Sequence, residues 1–120
     1  MKIVLLPMAF SVCQVEAFSI PRTPYTFTGC TEEENSLVCP TAQAPDHCLN
    51  REDGWRCFRV AGQLDFSLIG VLAGIAGCLA AREIPIFVLS TYNTDYILVK
   101  EERLTESISA LKAAGYEITA

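Results

Sequence analysis

Apolar and polar positions divide this chain into two unequal halves, and the pattern is sharpest from Trp55 onward. "GWRCFRVAG" (54–62) alternates apolar and polar residues between glycines and predicts a strand. In "QLDFSLIGVLAGIAGCLAARE" (63–83), Leu68, Leu72, Ile75, Ala76 and Leu79 recur at helical spacing, and Ile69, Val71 and Cys78 widen the apolar face. A helix is predicted there, with Ser67 as N-cap, Gly70 in the first turn, Arg82 near the negative end and Pro85 as the stop. "IFVLS" (Ile86–Ser90) and "DYILVK" (Asp95–Lys100) read as apolar strands joined by a polar turn. "EERLTESISALKAAG" is amphipathic: Leu104, Ile108 and Leu111 face inward, Glu101 and Glu102 suit the N-terminal pole, and Lys112 suits the C-terminal one. Gly115 is a natural C-cap, and "YEIT" ends the chain as a short strand. The order strand–helix–strand–strand–helix–strand predicts an α+β, ferredoxin-like βαββαβ unit, an antiparallel sheet with two helices on one face.

The first half offers strands and no helix: Lys2–Leu6, Phe10–Glu16, Tyr25–Cys30 and Ser36–Cys39, with Thr41–Gly54 as a connector. Its start imitates a signal peptide. Pro7 interrupts the apolar run, Lys2 is its one positive charge, and Glu16 sits at the cut, so strands and a cytoplasmic location are expected instead. The uncharged run Phe66–Ala81 is 16 residues long. A bilayer span needs about 20, so no membrane partner is expected. "TGCTEEENSLVCP" (28–40) parallels "STYNTDYILVKE" (90–101) if one gap is allowed. The two are either copies of one unit or two hairpins alike by chance.

Composition narrows the functions. Of 120 residues, 51% are hydrophobic and 19% charged, which supports a buried core and opposes disorder. The net charge is −5 with no basic cluster, so a nucleic-acid partner is not expected. His47, the single histidine, lies in the polar stretch "QAPDHCLNRED" and reads as a solvated residue. No serine or cysteine triad is credible with it, and no enzymatic activity is expected. Cys30, Cys39, Cys48 and Cys57 stand nine residues apart, yet no Cys-x-x-Cys occurs. Zinc and disulfides are both weaker readings than reduced thiols packed as small hydrophobes. No cofactor is expected.

The segment "LDFSLIGVLA" leading into the first helix, with "STYNTDYILVKEE" across the hairpin, resembles the ACT domain family. More narrowly, it resembles small bacterial ACT proteins related to the CASTOR arginine sensors. Ile69-Gly70-Val71-Leu72 falls where ACT domains carry Pro-Gly-x-Leu, with Ile69 replacing the proline as in the CASTOR-like subgroup. "MKIVLLP…FSVCQ" and "SLVCP" extend the resemblance over nearly the whole chain. It implies a regulatory module binding an amino acid or similar effector, usually paired with another ACT domain, in the same chain or in a homodimer. The chain then divides into a reduced, β-rich ACT-like half (1–54) and an ACT domain (55–120).

The resemblance also implies a site. An effector's carboxylate would meet the start of the first helix, where free N–H groups and the dipole attract anions and Gly70 leaves room. Asp65, Ser67 and Ile69 lie in the loop entering that helix. Asp65 either caps the helix or meets the ligand's ammonium. Asp95 matches an aspartate that contacts the cationic part of the ligand in CASTOR-like sensors, and Thr91 and Tyr92 match neighbouring effector contacts. The alternative for Asp95 is a turn residue bonding its own backbone. The alternative for the whole chain is a ligand-free interaction module that regulates a partner protein.

Overall fold

The computed structural model describes residues 1–18, 23–62 and 70–120. Along the chain come β1 (Lys2–Val15), β2 (Phe27–Cys30), β3 (Asn35–Pro40), β4 (Asn50–Val60), α1 (Val71–Ala80), β5 (Phe87–Ser90), β6 (Asp95–Lys100), α2 (Leu104–Ala113) and β7 (Glu117–Thr119). Short 3-10 turns occupy Thr41–Gln43 and Glu101–Arg103. The chain divides into two compact units, one of Met1–Pro7 with Arg56–Ala120 and the other of Met8–Trp55.

In the first unit the strands run in the order β7-β1-β4-β6-β5. The βαββαβ sequence is present, but β1 from the chain's start lies between β4 and β7. Lys2–Val4 pairs in parallel with Glu117–Thr119. On β1's other side, Lys2 O accepts the Ala61 N–H at 3.0 Å, the first bond after β4 ends. The simple antiparallel sheet expected from the sequence therefore gains one parallel pair.

Alternation along the strands explains the core. Phe58 and Val60 of β4, Ile97 and Val99 of β6, and Ile3 of β1 pack with Ile75 and Leu79 of α1 and Ala110 and Leu111 of α2. Leu98 is also fully buried, although alternation turns it to the other side of β6. A strand covered on both faces needs an unbroken apolar run, which is what "YILV" supplies. Leu104 and Ile108 pack against the cluster as the helical spacing predicts. Ser107 is buried among them because its hydroxyl donates back to Arg103 O at 2.7 Å.

In the second unit the order is β2-β3-β1-β4. Phe10–Val15 pairs antiparallel with Asn35–Pro40, and Phe27–Cys30 with Asn35–Val38. Its core holds Cys13, Val15, Leu37 and Cys39, with Ala44 and Cys48 against them.

Further sequence expectations change. The two N-terminal strands are one, Lys2–Val15. Pro7 falls between the stretch paired with β7 and the stretch paired with β3, so its missing N–H interrupts neither ladder. β4 begins at Asn50, which takes the end of the expected connector into a strand. Helix α1 begins at Val71, with Gly70 as its N-cap at φ 81. Gly70 is itself the cap and not a first-turn residue, because the left-handed entry favours glycine over any residue with a Cβ, and Ser67, expected as the cap, lies outside the described residues.

Candidate functional site

The β5–β6 hairpin is built around two threonines. Its register pairs Phe87 with Leu98 and Ser90 with Asp95, leaving residues 91–94 as the turn. Thr91 closes it: its N–H donates to Thr94 O at 2.9 Å, its hydroxyl donates to the same oxygen at 3.2 Å, and that hydroxyl accepts the Thr94 N–H at 3.4 Å. Such side-chain bonds fix a turn without glycine. Thr94, buried, turns its own hydroxyl onto Val60 O at 2.8 Å. The turn is thereby tied to the end of β4, where the chain leaves for α1.

Asp95 is half-buried as the first residue of β6. Its Oδ1 accepts the Ser90 hydroxyl at 2.6 Å, a charge-assisted bond that orients the carboxylate. The bonds to the turn's own backbone belong to Thr91, whereas Asp95 takes its bond from a side chain across the ladder. Tyr92 stands 74% exposed at the tip. Thr91, Tyr92 and Asp95 therefore share one hairpin, as the sequence implied.

Gly70 sits apart from them along the chain, at the exposed start of α1. Its carbonyl accepts the Gly74 N–H at 2.9 Å. Among the described residues no side chain caps α1, and the first turn carries no acid. Asp65, Ser67 and Ile69 lie outside the described residues. Sequence reasoning missed Thr94, whose only signal was a hydroxyl residue just before an apolar strand.

The N-terminal hairpin repeats this construction. Thr31 N–H donates to Glu34 O at 2.9 Å, and the Thr31 hydroxyl donates to the same oxygen at 3.4 Å. That hydroxyl also accepts the Glu34 N–H at 3.1 Å. β3 and β6 share one burial pattern, with Leu37, Val38 and Cys39 buried in the former and Ile97, Leu98 and Val99 in the latter. Both are followed by a 3-10 turn. Thr31 thus matches Thr91 and Asn35 matches Asp95 without the gap that the sequence comparison admits.

The thiols are free, with Cys13, Cys39 and Cys57 buried. Among the described residues no group of three or more His, Cys, Asp or Glu is arranged to hold a metal ion. No described helix is long and apolar enough to cross a membrane.

Residues 50–113 match the family model described as the ACT domain. Over 59 residues the chain is 42% identical to the human "Cytosolic arginine sensor for mTORC1 subunit 1", an alignment covering 48% of this chain and 18% of the sensor. It is 29% identical over 109 residues to the human "Putative protein CASTOR3P", covering 85% of this chain and 65% of that one. The chain thus spans a fifth to two thirds of the length of these relatives. Among solved structures, protein Atu0741 of Agobacterium tumefaciens superposes with a TM-score of 0.88 at 25% identity, covering 98% of this chain and 90% of that one. The regulatory subunit of aspartate kinase from Thermus thermophilus, in its ligand-free form, gives 0.65 at 10% identity and covers 94% and 96%. That last likeness concerns the fold alone.

Proposed function

The chain belongs to the ACT domain family, and from that premise we propose that it is a non-catalytic regulatory protein that binds an amino acid or related small effector. The observation that carries this reading is Asp95: a half-buried carboxylate, oriented by Ser90, in a turn tied to the end of β4. One ligand cation, ammonium or guanidinium, pairs with Asp95, with Thr91 and Tyr92 beside it. The ligand carboxylate takes the start of α1 at Gly70, with Asp65, Ser67 and Ile69, which lie outside the described residues, as its further proposed contacts. The likeness to a cytosolic arginine sensor makes arginine the first ligand to try and a cytoplasmic location the natural one. The N-terminal unit serves as a reduced ACT-like half. Pairing into a homodimer and a regulated protein partner complete the proposal.

A thermal-shift screen of the twenty amino acids tests it, since a ligand that binds only the folded state raises the melting temperature. Calorimetry on Asp95→Asn follows. An effector that shifts the wild type and binds the variant with undiminished affinity overturns the role of Asp95. A flat screen favours the second reading, a ligand-free module docking a partner, for which the exposed Tyr92 at the hairpin tip is the supporting observation.

A further inference from the structure

The sheet of the second unit ends on an open edge. Among the described residues β2 has one neighbour in its ladder, β3. Thr28, Gly29 and Cys30 are exposed, and no α-helix among the described residues of this unit lies over them. Edge strands are commonly guarded by a lysine, a proline or a bulge. Phe27–Cys30 carries none of these: it is uncharged, has no proline, and pairs one for one with Asn35–Val38.

The turn fixes which groups that edge offers. Thr31 N–H donates to Glu34 O at 2.9 Å, so these two residues form a hydrogen-bonded pair in the same register as the ladder. Bonded and non-bonded pairs alternate along an antiparallel ladder. Gly29 with Ser36 and Phe27 with Val38 are then the bonded pairs, and Cys30 with Asn35 and Thr28 with Leu37 the non-bonded ones. The backbone N–H and C=O groups of Thr28 and Cys30 therefore point away from β3. Their two-residue spacing is the one on which a further strand would place its own donors and acceptors.

Charge decides which strand fits. The second unit carries seven acids against Arg22 and Arg51, whereas the first carries seven residues of each sign. The chain's net charge of −5 thus falls wholly on the second unit. Arg51 is engaged with Asp53 at 2.8 Å. Glu32, Glu33 and Glu34 stand exposed in the turn at the end of β2, and among the described residues none of them has an ion pair. A second copy would bring another unit of the same net charge against this edge, which repulsion opposes. A strand bearing cations is drawn to it.

We propose that the β2 edge takes up an extended segment of a partner protein, rich in lysine or arginine, as an added strand. Backbone bonds to Thr28 and Cys30 hold the segment, and its cations lie beside Glu32, Glu33 and Glu34. Main-chain bonds supply the affinity and the acids supply the selection. The inference gives the chemistry of the regulated partner in the proposed function, and it rests on that reading for the partner's role. The thermal-shift screen tests the effector, whereas direct titration tests the edge, so either can fail alone.

The probe is a fluorescein-labelled, alternating Lys-Val octapeptide, titrated onto the reduced full chain and followed by anisotropy and by residue-resolved amide hydrogen exchange. Binding should slow exchange at Thr28 and Cys30 and should weaken as salt rises. Glu32→Gln combined with Glu33→Gln, both in the exposed turn, should weaken it by about tenfold. Thr28→Pro removes one outward N–H, leaves the bonded pairs with β3 in place and should abolish binding. The same peptide N-methylated throughout keeps its charges, loses its ladder donors and should not bind, which tests the edge without altering the protein. An alternating Glu-Val octapeptide should not bind either. No binding of the Lys-Val peptide, equal binding of its N-methylated or Glu-Val counterpart, or protection of Thr28 and Cys30 that grows with protein concentration alone, the mark of a second copy, would each overturn the proposal.

Discussion

Thr94 and Val60 make the bond on which the hairpin's position depends: a buried hydroxyl donating to a backbone carbonyl at 2.8 Å. The carbonyl is the last of β4, so the bond sets where the turn carrying Asp95 meets the chain leaving for α1. Thr94→Val keeps the shape and removes the donor, leaving Val60 O buried without it. The expected cost is about 1–3 kcal/mol in urea unfolding. Thr94→Ser should recover most of it. If the valine variant unfolds at the wild-type urea concentration, the bond does not hold the turn.

The two helices end alike, but with different residues at the left-handed position. After α2, Gly115 at φ 97 donates to Lys112 O at 3.0 Å, and Tyr116 donates to Leu111 O at 3.1 Å. After α1, Glu83 at φ 56 donates to Ala80 O at 2.9 Å, and Ile84 donates to Leu79 O at 3.1 Å. Both are Schellman endings, and in one of them a residue with a Cβ bears the left-handed strain. Glu83→Gly should raise stability by up to about 1 kcal/mol, and Gly115→Ala should lower it by about 1 kcal/mol. Opposite signs in denaturant midpoints are the outcome to look for. The carbonyls of Arg82 and Glu83 also accept from Arg103, so both variants should be compared with that arginine intact.

Gly74 is held by one atom. A Cβ built there would come within 2.9 Å of the Tyr116 hydroxyl. Alanine in a helix gains about 1 kcal/mol over glycine, and here that gain is opposed by displacing the phenol. Gly74→Ala alone should therefore be near neutral. Combined with Tyr116→Phe, it should stabilise relative to Tyr116→Phe alone by up to about 1 kcal/mol. Equal effects of the alanine in both backgrounds would show that the hydroxyl is not what opposes it.

Much of the C-terminal unit was legible because its residues obey one period at a time. "DYILVK" is Asp95–Lys100 in both sequence and structure, since an apolar run that short and bounded by a turn fits only a strand buried on both faces. Leu79 and Leu111 were legible from helical spacing. The start of α1 was not. Ser67 met the residue preference for a cap, and nothing in the pattern reveals that Gly70 turns left-handed. The parallel pairing of Lys2–Val4 with Glu117–Thr119 joins the two ends of the chain, beyond any local period. For the proposed site, Asp95 and Thr91 were singled out through a family motif. Thr94 was not, because its importance lies in a carbonyl 34 residues away.

Alkaline instability should follow from the buried thiols. Burial raises Cys57 from its ordinary 9.0 to about 12, opposed by the nearby Arg59 charge. Below pH 9 the thiol is protonated in both folded and unfolded chains, and its contribution to stability is fully present. Between about pH 9 and pH 12 the unfolded chain releases the proton while the folded one keeps it. Stability then falls with rising pH by about 1.4 kcal/mol per unit for this group. Other groups titrate in the same range, so the informative quantity is the difference between wild type and Cys57→Ala, both kept reduced. Near pH 8 the variant should be the less stable, because it leaves a small void in the core. As pH rises toward about 11 the gap should close and then reverse, since only the wild type carries that thiol. Urea midpoints that stay a constant distance apart from about pH 8 to about pH 11 would mean that Cys57 ionises as readily in the folded protein as in the unfolded chain.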